Sequence, residues 1–155
     1  MIGNDIVDLD LAKVQSNWRR KGYLDKIFTR EEQLIIATAT NPDQMVWLLW
    51  SMKESAYKIH NRKTCIRNFA PTALACHLTS LDGEIKGVVT IDHQTYITKS
   101  EFSLTYVHTI ASASVNELLD IAIKIYSQPN HPADYKSLAA DCVSHHGRYL
   151  SLVYG

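Results

Sequence analysis

The chain has 155 residues, with 16 basic and 16 acidic side chains. That balance excludes a global field drawing it to nucleic acid or to an anionic membrane. No apolar run approaches the roughly 20 residues needed to cross a bilayer, and no basic region followed by a long apolar core opens the chain. Cys65, Cys76 and Cys142 share no metal-ligand spacing and suit a reducing compartment. No repeat or linker divides the sequence, so a soluble cytoplasmic protein forming one domain over residues 1–155 is expected.

In chain order, a short apolar strand is predicted over residues 2–7. Asp8 and Asp10 then offer caps for a helix over residues 11–20. Thr29-Arg30-Glu31-Glu32 has the capping-box pattern, with Thr29 as N-cap and Glu32 reaching back. Asn41-Pro42-Asp43 is a stronger start: Asn41 caps, Pro42 suits the first helical position and Asp43 complements the dipole. The helix it begins should reach His60. Along it Met45, Leu48, Leu49, Met52, Ala56 and Ile59 recur at helical spacing as a core stripe.

After Asn61 the composition turns to β-branched and aromatic residues. Strands are predicted over residues 72–79, 84–91, 94–99 and 101–114, with turns at Leu81-Asp82-Gly83 and Asp92-His93, as in an antiparallel meander. Asn116 is read as the cap of a helix over 117–127, with Leu118, Leu119, Ala122, Ile125 and Tyr126 as its apolar stripe. Pro129 and Pro132 end it. Residues 135–150 allow two readings, a helix or a strand, turn and strand around Ser144-His145-His146-Gly147-Arg148-Tyr149. The fold class is α+β.

The chemistry is concentrated in Trp50-Ser51-Met52-Lys53-Glu54-Ser55-Ala56-Tyr57-Lys58. Trp47, Trp50, Glu54 and Lys58 follow at intervals of three or four and share a helix face. On an ordinary surface a Glu54–Lys58 pair is worth only about 0.3–0.5 kcal/mol. Two indoles on the same face argue against full solvation, and Lys53 and Lys58 flank Glu54 as an anionic ligand would require. Asp5 lies in an apolar strand, where a carboxylate needs a partner, and a cation is one. Two carboxylates from separate elements, with phosphate oxygens and waters, satisfy the octahedral demand of magnesium. A lysine then meets phosphate as a point charge.

Gly3-Asn4-Asp5 and Trp50-Ser51-Met52-Lys53-Glu54-Ser55-Ala56-Tyr57-Lys58 resemble the signature pair of the 4′-phosphopantetheinyl transferase superfamily, Gly-x-Asp and Trp-x-x-Lys-Glu-x-x-x-Lys. Phe28-Thr29 with Glu32 is similar to the family's Phe-Thr-x-x-Glu stretch, and Ser144-His145 to its Ser-His element. Val7 followed by Asp8, together with the length, resembles the smaller holo-acyl-carrier-protein synthase type. Residues 62–140 match little of the pattern. The resemblance implies an antiparallel sheet packed around a long central helix, and a homo-oligomer, possibly a trimer, with coenzyme A at a subunit interface. It implies transfer of the phosphopantetheine arm of coenzyme A to a serine of an apo acyl or peptidyl carrier protein, as in fatty-acid biosynthesis. Asp5 and Glu54 would hold magnesium, Lys58 would neutralise phosphoryl charge and Glu54, directly or through a metal-bound water, would take the serine proton. Lys53 would add to the phosphate field or stand solvated. His145 would contact a coenzyme A phosphate with Ser144 shaping the turn, and His108 is a rival ligand.

Trp18-Arg19-Arg20-Lys21 is the densest basic run. It can be read as a solvated helix end, as a thin nucleic-acid footprint, or, following the resemblance, as the contact for an acidic carrier protein through Arg19, Arg20 and Lys21. The last reading is preferred. The rival functional class is a non-catalytic module of the same fold that binds a carrier or coenzyme A without transfer.

Overall fold

The computed structural model describes residues 1–81 and 84–155, so the turn expected at Leu81-Asp82-Gly83 falls partly outside the described residues. Strands β1 (Ile2–Asp8), β2 (Ala75–Ser80), β3 (Ile85–Ile91), β4 (Gln94–Phe102) and β5 (Tyr106–Ser112) form an antiparallel sheet in the order β1-β5-β4-β3-β2. Strands β6 (Ala122–Ser127), β7 (Cys142–His146) and β8 (Tyr149–Tyr154) form a second antiparallel sheet in the order β6-β8-β7. The helices are α1 (Leu9–Gln15), α2 (Tyr23–Ile27), α3 (Arg30–Thr38) and α4 (Pro42–Thr64). Among the described residues no helix is long and apolar enough to cross a membrane.

The 23-residue α4 is the long central helix of this α+β fold. Its start follows the local chemistry. The Asn41 side chain accepts the Gln44 N–H, and Pro42 occupies the first turn. Leu48, Leu49, Met52, Ala56 and Ile59 are buried against Val7, Val89, Val107 and Ala111 of the large sheet. Met45 is only half-buried, whereas Trp47 joins this core. Trp47 therefore leaves the face expected to hold it with Glu54. Trp50 meets Phe69 edge-on at 5.7 Å. Gly3 permits the contact between β1 and α4, since a Cβ there would lie 1.8 Å from the Ser55 carbonyl oxygen.

On the far side of the large sheet Ile2 and Ile110 pack against Leu118 and Val153. The small sheet thus covers the free edge and outer face of β1. Two β1 backbone N–H groups that β5 does not use are taken by β7 side chains. Ile6 N donates to Ser144 Oγ at 3.1 Å and Asp8 N to His146 Nδ1 at 2.9 Å.

Several expected boundaries move. The helix expected over 11–20 begins earlier, because Asp8 Oδ1 accepts from Asp10 N and Leu11 N, and it ends at Gln15. α2 was not anticipated. The strand expected over 101–114 is divided differently: β4 continues to Phe102, and Ser103 makes the turn by accepting from Thr105 N and Tyr106 N. The helix expected over 117–127 does not form. Only Asn116–Leu118 make a 3-10 turn, with no side-chain cap, and Ala122–Ser127 instead pair with β8 from Ala122↔Tyr154 to Ser127↔Tyr149. A distant pairing partner outweighs local helical period there. Of the two readings of residues 135–150, the strand, turn and strand is the observed one, preceded by a 3-10 turn at Tyr135–Leu138.

Candidate active site

β1 and α4 bring Asp5, Glu54 and Lys58 together. Alternation along β1 puts Gly3, Asp5 and Val7 toward α4, and Lys58 lies one turn beyond Glu54 on that helix. Lys58 Nζ is 3.5 Å from Asp5 Oδ1 and donates to the Asn4 carbonyl. Ser144 Oγ, from β7, donates to the same Asp5 oxygen at 3.2 Å. Asp5 Oδ2 is buried without a hydrogen-bond partner among the described residues. Burial pushes the Asp5 carboxyl above its usual range, and the Lys58 ammonium opposes the rise.

Glu54 forms no hydrogen bond or ion pair among the described residues, yet it feels Asp5. Its carboxyl is pushed up to about 7, first by burial and then by the Asp5 charge, with Lys58 opposing. Two carboxylates that disfavour each other's charge, one with an unsatisfied buried oxygen, are the donors a hard divalent cation prefers. Among the described residues no group of three or more His, Cys, Asp or Glu side chains gathers as a metal site. Asp5 and Glu54 are the two carboxylates that could hold a cation here, with substrate and water filling the rest of its shell. Beside Lys58 a groove of about 420 Å³ opens, whose lining includes Tyr57, Lys58, Arg62 and Asp141. A cleft of about 430 Å³ on the outer face of β4 and β5 includes none of Asp5, Glu54 and Lys58 in its lining.

Lys53 belongs elsewhere. It is fully buried, 2.7 Å from Glu32 Oε2, and donates to the carbonyls of Ile27, Pro71 and Leu74 at 2.7–3.0 Å. Neither a solvated lysine nor one open to a ligand phosphate describes it. Helical rotation aims it 100° away from Glu54 and into the core. Glu32 in turn completes the capping box with Thr29 and accepts Cys76 N, on the free edge of β2, at 2.7 Å. The Phe28-Thr29-x-x-Glu32 stretch and Lys53 are therefore one buried structural network.

Ser144 points inward at Asp5, whereas His145, the next residue of the strand, is exposed and meets the His131 ring edge-on at 5.6 Å. His108 is buried, its Nε2 lies 2.8 Å from Asn4 Oδ1, and its ring also lines the cleft on the outer face of β4 and β5, apart from Asp5, Glu54 and Lys58. Asn4 itself escaped the sequence reading. It projects from the other face of β1, and only the folded small sheet reveals its partners. Of the basic run, Arg19 makes a bidentate pair with Asp43 at 2.8 and 3.1 Å and Arg20 lies over the Tyr23 ring, in a turn rather than at a helix end. Arg19 is thus partly neutralised; Lys21 is exposed.

The family model of the 4′-phosphopantetheinyl transferase superfamily matches residues 1–111. The chain belongs to that superfamily. Membership supports a transferase of the phosphopantetheinyl kind, a family whose members use coenzyme A and typically a divalent metal. The match extends through β2–β5, which carried little recognisable pattern, and stops before Ser144 and His145. No curated protein matches the chain.

Proposed function

We propose that the protein transfers the 4′-phosphopantetheine arm of coenzyme A to a serine of an apo acyl or peptidyl carrier protein, releasing adenosine 3′,5′-bisphosphate. The reading takes the holo-acyl-carrier-protein synthase type of that reaction. The observation that carries this reading is the buried, unpartnered Asp5 Oδ2 beside Glu54 and Lys58. Asp5 and Glu54 would hold a magnesium ion, which when bound neutralises charge on the pyrophosphate. Among the described residues Lys58 keeps one of its three N–H donors free after serving Asn4 and Asp5, and directs it at phosphoryl oxygens. Glu54 takes the serine proton as the serine oxygen bonds to phosphorus and the nucleotide oxygen leaves with the bond's electron pair. His145 meets a coenzyme phosphate from the rim, and Ser144 holds Asp5. Lys53 has no part in this set. The carrier contact rests on Arg20 and Lys21 more than on the paired Arg19, and the reading extends to a cytoplasmic homo-oligomer of one-domain chains.

The test is to incubate the protein with several apo carriers, coenzyme A and magnesium and to weigh the carrier. The expected result is the gain of one phosphopantetheine arm, slowed about 10²–10⁴-fold in Glu54→Gln. Coenzyme A binding without any mass gain overturns transfer and leaves the non-catalytic module of the same fold.

A further inference from the structure

Asn4 is fully buried, and every polar atom of its side chain is committed. Its Nδ2 donates to the carbonyls of Cys142 at 3.3 Å and Ser151 at 3.0 Å. Those two acceptors fix the amide orientation, so Oδ1 must be the atom facing His108 Nε2 at 2.8 Å. The proton therefore resides on His108 Nε2, which also lies 2.9 Å from Ser151 Oγ. The other ring nitrogen, Nδ1, looks the opposite way, 3.8 Å from the exposed Glu101 carboxylate. On its backbone side the same Asn4 offers its carbonyl to Lys58 Nζ, and the next residue is Asp5. One asparagine thus joins the small sheet, β5 and the charged cluster.

We infer that His108 is a positioning residue for Asp5 and Lys58, acting through Asn4. This rests on the transferase reading for its effect on rate, but not for its geometry. A neutral Nε2–H imidazole holds the Asn4 amide, and the held amide fixes the Asn4 carbonyl and the direction of Asp5. Without the imidazole, Asn4 Oδ1 becomes a buried acceptor lacking its partner, and the segment must turn to satisfy it. The imidazole lines the cleft on the outer face of β4 and β5, whose lining includes none of Asp5, Glu54 and Lys58. Burial keeps it neutral, its pKa lowered to about 4, with Lys58 a smaller cause.

The geometry is tested on the wild-type protein, with ¹⁵N-labelled histidine and two-bond ¹H–¹⁵N spectra. A neutral Nε2–H tautomer unchanged from pH 5.5 to 8 is expected; an Nδ1–H tautomer, or titration within that range, overturns the proposal. The consequence is tested with His108→Leu, which cannot donate, and His108→Gln, whose amide can. His108→Leu should shift the Asp5 amide and Lys58 side-chain signals and lower kcat at least tenfold, with KM for coenzyme A changed less than twofold. His108→Gln should return kcat to within threefold of wild type. Unmoved Asp5 and Lys58 signals in a folded His108→Leu protein overturn the inference. If the wild type transfers nothing, the transferase reading fails alone, and the spectra still decide the positioning.

Discussion

Lys53 and Glu54 are neighbours in sequence with opposite fates, and the difference is one helical step of rotation. Glu54 is turned to a half-buried face where burial first, and the Asp5 carboxylate second, raise its pKa from its ordinary 4.5 to about 7. A raised folded-state pKa contributes stability that is complete below the unfolded value and is lost as pH rises through the folded value. Without metal, the stability of Glu54→Gln relative to wild type should accordingly grow by about 1–3 kcal/mol between pH 4 and pH 8. Urea unfolding at both pH values checks this; an unchanged difference would mean that Glu54 is not held in an unfavourable field. Lys53, in contrast, is fully enclosed with Glu32. Lys53→Met leaves Glu32 buried without its counter-charge and should cost about 3–5 kcal/mol. Adding Glu32→Gln, which can still accept an edge N–H, should recover part of that loss. A double-mutant cycle by denaturant unfolding measures the coupling, and simple additivity would refute a shared network.

At the scale of elements, α4 was legible because three signals agree along it: Asn41 and Pro42 at its start, a core stripe at helical period, and no internal breaker. β6 was not legible. Ala122, Ile125 and Tyr126 satisfy a helical period, and nothing local says that Tyr149–Tyr154 lies alongside to pair with them. The Gly3 contact belongs to this scale as well. Gly3→Ala drives a Cβ into the Ser55 carbonyl, and backbone yields poorly. A loss of about 3 kcal/mol or more is expected, larger than ordinary overpacking because both colliding groups are main chain. Thermal unfolding reports it, and a near-neutral substitution would show that β1 and α4 are not in such close contact.

For the molecule as a whole, the family match ends at residue 111, yet the Asp5 cluster is completed from beyond it. The β7–β8 hairpin supplies Ser144 to Asp5, takes two N–H groups of the β1 edge and receives both amide hydrogens of Asn4. A chain shortened to residues 1–112 bares that edge, the Ile2–Ile110 patch and a buried polar network at once. It should lose cooperative unfolding and self-associate, as calorimetry and sedimentation would show; a stable monomer would refute the hairpin's structural role. From the sequence alone came the α+β class, the long helix with its caps, the family resemblance, and the pairing of Asp5 with Glu54 and Lys58 as candidates. These depend on period, capping chemistry and motif, all local properties. Only the tertiary structure decided that Lys53 is a buried strut, that residues 122–127 are a strand, and that Ser144 and Asn4 meet around Asp5. Each of these depends on partners brought from distant parts of the chain, and burial among such partners sets whether a charge is a ligand or a brace.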